Sequence, residues 1–340
     1  MRECGRCSKP VQTDRRVAVA FIFYFHDDAM KPLLLIIIPL AEHYRAYIAE
    51  SFEVLHIPQA ANRAAVLAAH GPAIRVVLTN GAIGLTAAEI DAMPALDIIC
   101  SFGVGTENID VAHAKQRGIA MANGAGTNDD CVADHALGLL LAVVRAIPRN
   151  NAATRAGVWR DALPLPPQVA RRRLGVIGLG SIGMKIAQRA LGFDMAVGYH
   201  NRSAREDAPY PYFETPLALA DWADFIVVAT PGGASTRHLI NAEVLTALGP
   251  KGFLVNIGRG STVDTAALAE ALRAGRIAGA GLDVYEGEPA PPEALMAFDN
   301  VVLTPHLAGW SPEAIGASVQ RFIDNACGHL AGRGAVSPVR

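Results

Sequence analysis

Short runs of apolar residues alternate with helical patterns along the chain from Met30 onward. Such runs are typical of strands buried on both faces, and their alternation with helices predicts parallel sheets joined by crossover helices. The sequence therefore predicts an α/β fold. The strands form two groups, predicted at 33–38, 52–57, 75–79, 97–101 and 119–122, and then at 174–177, 195–200, 225–229, 253–257, 278–284 and 301–304.

Three further segments set the organisation of the chain. A long, mostly apolar helix is predicted between the two groups of strands, from about Asn128 to Ile147. The segment Arg155–Pro167 contains three prolines and is predicted to be a loop. The last helix is predicted from Pro312 to about Leu330.

A glycine motif follows the first strand of the second group. The segment 174–183 has the sequence LGVIGLGSIG, in which a buried-strand run leads into Gly178, Gly180 and Gly183 and then into a helical pattern. In a dinucleotide site, the first glycine permits the tight turn, the second lets backbone approach a pyrophosphate and the third lets helix pack closely on strand. The helix N-terminus, at Ser181 and Ile182, supplies N–H groups to the phosphates. A tight strand–helix turn alone would also carry glycines, but the strand before and the helix after favour a nucleotide site.

The position of this motif predicts two domains in the 340 residues. A Rossmann domain places the motif at its own first strand, which here lies near the middle of the chain, so a complete α/β unit precedes it. The last helix is expected to pack back onto that first unit. We therefore predict a Rossmann-type doubly wound parallel sheet domain, residues 128–310, inserted into a smaller flavodoxin-like α/β substrate domain, residues 30–127 plus 311–340, with a cleft between them.

The strand after the motif indicates which dinucleotide is bound. An NAD-specific site has Asp or Glu at the end of this strand, to bind the ribose 2′-OH. Here the strand ends in Tyr199-His200-Asn201-Arg202-Ser203, without an acid. Arg202 offers a planar cation suited to a 2′-phosphate, and Asn201 and Ser203 add neutral hydrogen-bonding groups. NADPH is therefore the predicted cofactor and NADH the weaker alternative, while a solvated loop arginine is the other interpretation of Arg202.

The composition of the chain limits the binding partners and the cellular compartment that can be expected. With 51% hydrophobic and 18% charged residues the chain can bury large cores, and its net charge of −2 gives no reason to expect nucleic acid or a membrane as partner. Among only five cysteines, Cys4 and Cys7 form one C-x-x-C with no second pair to complete a zinc site, so no metal is predicted. This cysteine usage suits a reducing cytoplasm.

The first 29 residues differ from the rest of the chain. Basic residues precede an apolar run, Val17–Phe25, as in a signal peptide, but no small-x-small cleavage site follows and the run is too short to span a bilayer. We predict a dispensable extension. A mis-assigned start codon, with Met30 as the true start, is one explanation of it, and a targeting segment is the other.

Three segments near the ends of later strands carry candidate chemistry. Arg259 lies between glycines after one strand, Asp283 and Glu288 follow the next, and His306 follows the last. An arginine can hold the carboxylate of a 2-oxo acid, and a histidine can protonate its carbonyl oxygen as hydride arrives from nicotinamide. A carboxylate bonded to that histidine favours its charged form. Each residue alone fits a structural role, but together beside a dinucleotide motif they predict reduction of a 2-oxo acid.

Taken jointly, these motifs resemble the D-isomer-specific 2-hydroxyacid dehydrogenase family, most closely its glyoxylate/hydroxypyruvate reductase branch. The resemblance covers about Met30 to Leu330. Besides the glycine motif and the three segments, it rests on Ser101-Phe102-Gly103-Val104-Gly105 and on Val132-Ala133-Asp134-His135-Ala136.

The resemblance implies a role for each matching residue. Arg259 is implied as the substrate-binding arginine, Glu288 as the carboxylate partner and His306 as the proton donor. The N–H groups of Val104 and Gly105 are implied to bind the substrate carboxylate. Glu286 is the competing choice of acid, but the acid-before-proline pattern favours Glu288 and leaves Glu286 on the surface.

Further residues are implied to bind the cofactor or a second subunit. Asp283 is implied to bind the nicotinamide carboxamide, and the residues implied to line the cofactor are Thr230, Pro231, Ile257 and Gly258. Family members dimerise through the nucleotide domain, chiefly the long helix, so a homodimer is expected. Trp310 stands where the family often has a small or hydroxyl residue, which leaves substrate size open.

The predicted function is therefore an NADPH-preferring 2-oxoacid reductase acting on small substrates such as glyoxylate or hydroxypyruvate. The first alternative is a dinucleotide-sensing binding protein, similar to the family's transcriptional corepressor branch. The second is a phosphoglycerate-type dehydrogenase that lacks the C-terminal regulatory domain.

Overall fold

Two parallel sheets carry the strands in the computed structural model, which describes residues 30–339. The expectations for residues 1–29, including those for Cys4 and Cys7, lie outside the described residues. Each of the eleven strands predicted for this part of the chain is observed, with ends that differ by only a few residues. Most of these apolar runs form strands because their side chains are buried on both faces of a sheet.

The first sheet has five strands in the order β2-β1-β3-β4-β5, which is the flavodoxin-like order. Its strands are β1 (Leu33–Ile36), β2 (Glu53–His56), β3 (Ile74–Thr79), β4 (Ile98–Ser101) and β5 (Ala120–Ala122). The helices between them are α1 (Glu42–Ala49), α2 (Arg63–His70), α3 (Ala87–Asp91) and α4 (Val111–Gln116). The capping box of Thr86 and Glu89 starts α3, and the side chain of Asp110 caps α4.

The second sheet has six strands in the order β11-β10-β9-β8-β6-β7. Its strands are β6 (Arg173–Ile177), β7 (Ala196–His200), β8 (Phe225–Val228), β9 (Phe253–Asn256), β10 (Gly279–Leu282) and β11 (Val301–Leu303). An isolated parallel bridge between Tyr199 and Tyr212 stands beside β7, where a Rossmann sheet has a further strand. The strand order reverses between β6 and β8, so the carboxyl ends of these two strands flank the expected ligand crevice.

Helices cover both faces of the second sheet, which makes it doubly wound. One face is covered by α5 (Asp129–Val144) and α7 (Ser181–Leu191), and the other by α8 (Pro216–Trp222), α9 (Ala242–Leu248) and α10 (Thr265–Arg273). Asp130 on α5 binds Lys185 on α7 at 2.8 Å. One turn further along α5, Asp134 binds Arg189 on α7 at 2.6 Å. Close packing of α5 on the sheet depends on a glycine, since a Cβ at Gly281 would come within 3.1 Å of the Leu139 Cβ.

The long helix predicted from Asn128 to Ile147 is shorter than expected. It ends at Val144, and after a turn in which Ala146 has a φ of 50° the chain enters a separate helix, α6 (Ile147–Arg155). The axes of α5 and α6 differ by 56°. Pro148 explains the break, because in a continuous helix its ring would clash with the Val144 carbonyl four residues earlier.

The last helix, α11 (Pro312–Leu330), returns to the first sheet. Its residues Val319, Phe322 and Ala326 belong to the same buried cluster as the side chains of β1, β3 and β4. The Phe322 ring lies 5.6 Å from that of Phe52. This packing supports a substrate domain made of two pieces, and the boundaries 30–127 plus 311–340 and 128–310 stay a prediction.

No single helix among the described residues is both long and apolar enough to cross a bilayer; α5 and α6 reach that length and composition only when they are joined across their bend.

Candidate active site

The three motif glycines lie in a turn that leaves room for a ligand. Gly178 follows β6 with a φ of 96°, a conformation that favours glycine. A Cβ on Gly183 would collide with the Gly178 carbonyl oxygen, so the close approach of α7 to the turn requires glycine there. Beside Gly180 the space is open: no heavy atom of residues 30–339 lies within 4 Å of the position its Cβ would take. This opening matches the approach of a pyrophosphate to the backbone.

The N-terminus of α7 faces this opening with N–H groups that no side chain caps. Asn201 accepts a hydrogen bond from the Leu179 N–H at 2.7 Å and so ties the turn to the end of β7. The Ser181 hydroxyl donates to the buried carboxylate of Asp129, whereas Ile182 is half-buried against the core. Backbone N–H groups, more than the Ser181 side chain, are therefore suited to phosphate oxygens.

Two arginines follow β7, and only one of them was predicted to matter. Arg202 and Ser203 are exposed, and Arg202 forms no ion pair within the described part of the chain. Arg205, which the sequence analysis did not select, donates to the Leu179 carbonyl at 2.9 Å and binds Asp207 at 2.5 Å. The charge of Arg205 is therefore already paired with a carboxylate, whereas the guanidinium of Arg202 is left for a 2′-phosphate to bind.

The other predicted cofactor residues lie at the same edge of the sheet. Thr230 is buried at the end of β8, with Pro231 exposed beside it, and Ile257 and Gly258 are buried at the end of β9. A Cβ on Gly258 would come within 2.5 Å of the Thr230 carbonyl oxygen, so the two loops pack directly on each other. Together they form a wall of the crevice beside the glycine turn.

Asp283 anchors the loop that carries His306. The Asp283 carboxylate is 1% exposed and accepts hydrogen bonds from Thr304 Oγ1 at 2.6 Å and from the N–H groups of Leu307 and Ala308 at 2.9 Å. Its carbonyl accepts from the His306 N–H at 2.8 Å, where His306 has a φ of 52°. The contribution of Asp283 in this structure is to fix the His306 backbone, and its binding to nicotinamide stays a prediction.

His135, from the family-like stretch on α5, belongs to this anchor and not to the substrate cleft. Its Nε2 lies 2.9 Å from Thr304 Oγ1 and 3.5 Å from the Asp283 carboxylate. These contacts give His135 a structural role in the loop that carries His306.

His306 and Glu288 form a hydrogen-bonded pair. The Nδ1 of His306 lies 2.6 Å from Glu288 Oε2, while Glu288 Oε1 accepts from the Tyr285 N–H at 2.7 Å. Burial alone would raise the pKa of Glu288, but the bonds from His306 and Tyr285 lower it, so the carboxylate accepts and His306 Nδ1 donates. The bond to Glu288 in turn raises the pKa of His306, against the opposing effects of burial and of Arg259. His306 therefore favours its charged form, with Nε2 available to a substrate.

Arg259 lies close enough to this pair for its charge to act on both members. It lowers the pKa of Glu288 and also lowers that of His306. Its Nη1 donates to the Gly258 carbonyl at 2.8 Å, and its Nη2 would lie 2.6 Å from a Cβ on Gly105. The predicted arginine, carboxylate and histidine are thus brought together, next to the predicted Val104–Gly105 turn.

Two candidates remain: Val104, in the turn beside Arg259, and Glu286, the competing choice of acid. Val104 is 45% exposed. Its carbonyl accepts a hydrogen bond from the Asn123 side chain at 3.2 Å, and the Gly105 carbonyl accepts one from the Ser101 hydroxyl at 2.6 Å. These two bonds fix the turn. Glu286 is an exposed residue, as expected, but its carboxylate is not free: it binds His238 Nε2 at 2.7 Å and the Thr265 N–H at 3.1 Å.

Sequence reasoning missed Glu107, whose carboxylate binds Arg259 Nε at 2.7 Å. The Ser101–Gly105 motif lies just before Glu107, but a pairing with a residue so far along the chain has no local pattern. Among residues 30–339 no group of three or more His, Cys, Asp or Glu side chains is arranged to hold a metal ion.

Comparison with known families and proteins gives consistent matches. A family model described as "D-isomer specific 2-hydroxyacid dehydrogenase, NAD binding domain" matches residues 137–308. The chain is 40% identical to a hydroxyphenylpyruvate reductase of Plectranthus scutellarioides over 274 residues, 80% of this chain and 88% of that protein. It is 36% identical to a glyoxylate/hydroxypyruvate reductase of Arabidopsis thaliana over 307 residues, 90% of this chain and 98% of that protein.

A solved structure is similar over nearly the same extent. It is an NADPH-dependent glyoxylate/hydroxypyruvate reductase from Sinorhizobium meliloti in complex with NADP and malonate, which is 40% identical with a TM-score of 0.84. The match covers 91% of this chain and 97% of that one. The similarity therefore includes both sheets and the cleft residues between them.

Proposed function

The chain belongs to the D-isomer-specific 2-hydroxyacid dehydrogenase family, and from this premise we propose that it is an NADPH-preferring reductase of small 2-oxo acids such as glyoxylate or hydroxypyruvate. One observation carries the proposal: the His306–Glu288 pair lies within the electrostatic reach of Arg259, on loops at the carboxyl edge of a sheet whose glycine turn suits a dinucleotide. The relatives named above are reductases, which favours this activity over the dinucleotide-sensing alternative.

The residues of the chain divide the reaction between them. Arg259 binds the substrate carboxylate together with the N–H groups of Val104 and Gly105, and its charge polarises the neighbouring carbonyl. His306 gives its Nε2 proton to the carbonyl oxygen, and Glu288 stabilises the charged imidazole before that transfer. Bound NADPH supplies the hydride that the carbonyl carbon receives. The carbonyl group thereby gains one hydride and one proton, which makes the 2-hydroxy acid.

The preference for NADPH rests on the loop after β7. Arg202 is exposed without a carboxylate partner, Asn201 already holds the glycine turn, and this stretch has no acid to select the ribose 2′-OH. The NADPH dependence of the Sinorhizobium meliloti relative supports the same choice. Ser203, exposed next to Arg202, is the second side chain proposed for the 2′-phosphate.

A homodimer in a reducing cytoplasm completes the proposal. The segment after α6 exposes large apolar side chains, Trp159 at 68% and Leu165 at 96%, and Leu165 lines a cavity of about 180 Å³ beside α5. Exposed apolar surface of this kind is typical of an interface. The described cysteines are free thiols, which suits a reducing compartment. Light scattering of the purified protein measures the oligomeric state, and a monomer would contradict the dimer.

The activity is tested by measuring cofactor oxidation with a panel of 2-oxo acids, using NADPH and NADH in turn. We expect turnover of glyoxylate or hydroxypyruvate and a higher kcat/KM with NADPH. Absence of turnover with every 2-oxo acid and both cofactors would refute the proposed function.

A further inference from the structure

Glu107 connects the loops of the two sheets across the substrate cleft. It follows β4 of the first sheet, and its Oε1 accepts a hydrogen bond at 2.7 Å from Nε of Arg259, which follows β9 of the second sheet. Both side chains are partly exposed, at 40% and 31%. The ion pair thus lies at the cleft surface, next to the turn of Val104 and Gly105.

Two glycines leave the space that the Glu107 carboxylate occupies. A Cβ on Gly81 or on Gly105 would collide with Glu107 Oε2, so neither position could carry a side chain while Glu107 keeps this conformation. Burial alone would raise the pKa of Glu107, but Arg259 and, more weakly, His306 lower it. The carboxylate is therefore an anion in a position shaped to hold it.

The contacts of Arg259 show what this anion does. Nε binds Glu107 and Nη1 binds the Gly258 carbonyl at 2.8 Å, which fixes the plane of the guanidinium. Nη2, the remaining nitrogen, lies beside Gly105. A planar guanidinium held at two nitrogens presents the third in a defined direction, which a single contact would not achieve.

We propose that Glu107 is a positioning residue, which holds Arg259 so that Nη2 faces the substrate carboxylate and which links the two sides of the cleft around it. This inference rests on the proposed function, because it assigns the substrate carboxylate to Arg259. The opposite effect, in which Glu107 competes with the substrate for Arg259, predicts the reverse change in affinity and is separated by the experiment below.

The test compares Glu107→Gln with the wild-type protein and with Glu107→Asp. Charge-assisted hydrogen bonds are stronger than neutral ones, so Glu107→Gln should raise the KM for glyoxylate about tenfold, with much smaller effects on kcat and on the KM for NADPH. Glu107→Asp keeps the charge and should recover part of the loss. Glu89→Gln is the matched control, since it breaks the ion pair with Arg63 in the same sheet region and should leave the KM for glyoxylate unchanged.

A second measurement tests whether Glu107 acts through Arg259. In an Arg259→Ala background neither the guanidinium nor its bond to Glu107 exists, so adding Glu107→Gln should change the KM for glyoxylate by less than about twofold. An equal loss in both backgrounds would assign Glu107 a role independent of Arg259 and overturn the proposal. An unchanged KM for glyoxylate in Glu107→Gln alone would also overturn the proposal. A lowered KM would overturn it too, and would show that Glu107 competes with the substrate for Arg259.

Binding of oxamate, a carboxylate that resembles a 2-oxo acid, gives a readout that does not need turnover. Calorimetric titration in the presence of NADP should show oxamate binding about tenfold more weakly to Glu107→Gln than to the wild type. Equal oxamate affinity would refute the positioning role. A wild-type protein that binds oxamate but reduces no 2-oxo acid would refute the proposed function instead, so the two failures are distinguishable.

Discussion

Replacement of Arg202 by Ala tests how the protein selects its cofactor. Arg202 is exposed after β7 and has no ion-pair partner among residues 30–339, whereas the nearby Arg205 is bound by Asp207. A hydrogen bond to a charged group contributes about 1.5–3 kcal/mol, and solvent screening at an exposed residue favours the lower end of that range. About 1.4 kcal/mol corresponds to a tenfold change in an equilibrium constant. We therefore expect the KM for NADPH to rise about tenfold in Arg202→Ala.

The same variant should leave NADH almost unaffected, because NADH has no 2′-phosphate for Arg202 to bind. The assay is the initial rate of glyoxylate reduction over a range of each cofactor, compared as the ratio of kcat/KM for NADPH and NADH. Arg276→Ala is a suitable control. Arg276 follows α10 and is also exposed, but it already pairs with Glu270. Equal losses with both cofactors would show that Arg202 supports the fold of the loop and does not read the 2′-phosphate.

Two further predictions follow from the contacts of the site. Glu288→Gln removes the carboxylate charge that helps to raise the pKa of His306, so the fall of kcat/KM for reduction with rising pH should begin at lower pH than in the wild type; an unchanged pH profile would contradict the pairing. Gly183→Ala places a methyl group against the Gly178 carbonyl, which should lower the free energy of unfolding by about 1–3 kcal/mol and weaken NADPH binding. Urea denaturation and a fluorescence titration measure these effects, and wild-type values in both would contradict the close approach of α7.

The fold was largely predictable because its signals are local. Most of the strands are short apolar runs, and burial on both faces of a sheet leaves few alternatives for such a run. The order of strands in the first sheet also agreed with the flavodoxin-like prediction. The predicted end of the long helix was wrong, although Pro148 was visible in the sequence. The apolar pattern continues to Ile147, but the clash of the Pro148 ring with the Val144 carbonyl outweighs that pattern.

The candidate site was predictable only where a motif carried it. Arg259, Glu288 and His306 stand at strand ends, and the parallel topology brings strand ends to one edge of a sheet. Glu107 had no such signal, because its partner lies on the other sheet and the glycine cradle around its carboxylate exists only in the folded chain. Asp283 was assigned to the cofactor, whereas its visible contacts fix the loop of His306.

The most direct test of the account is the rate of glyoxylate reduction by His306→Ala at saturating NADPH. His306 is assigned the proton donor, and general acid catalysis contributes on the order of 10²–10⁴-fold to a rate. We expect kcat to fall by that order while the dissociation constant for NADPH, measured by fluorescence, stays close to that of the wild type. A variant that keeps the wild-type kcat would contradict the central assignment of the site.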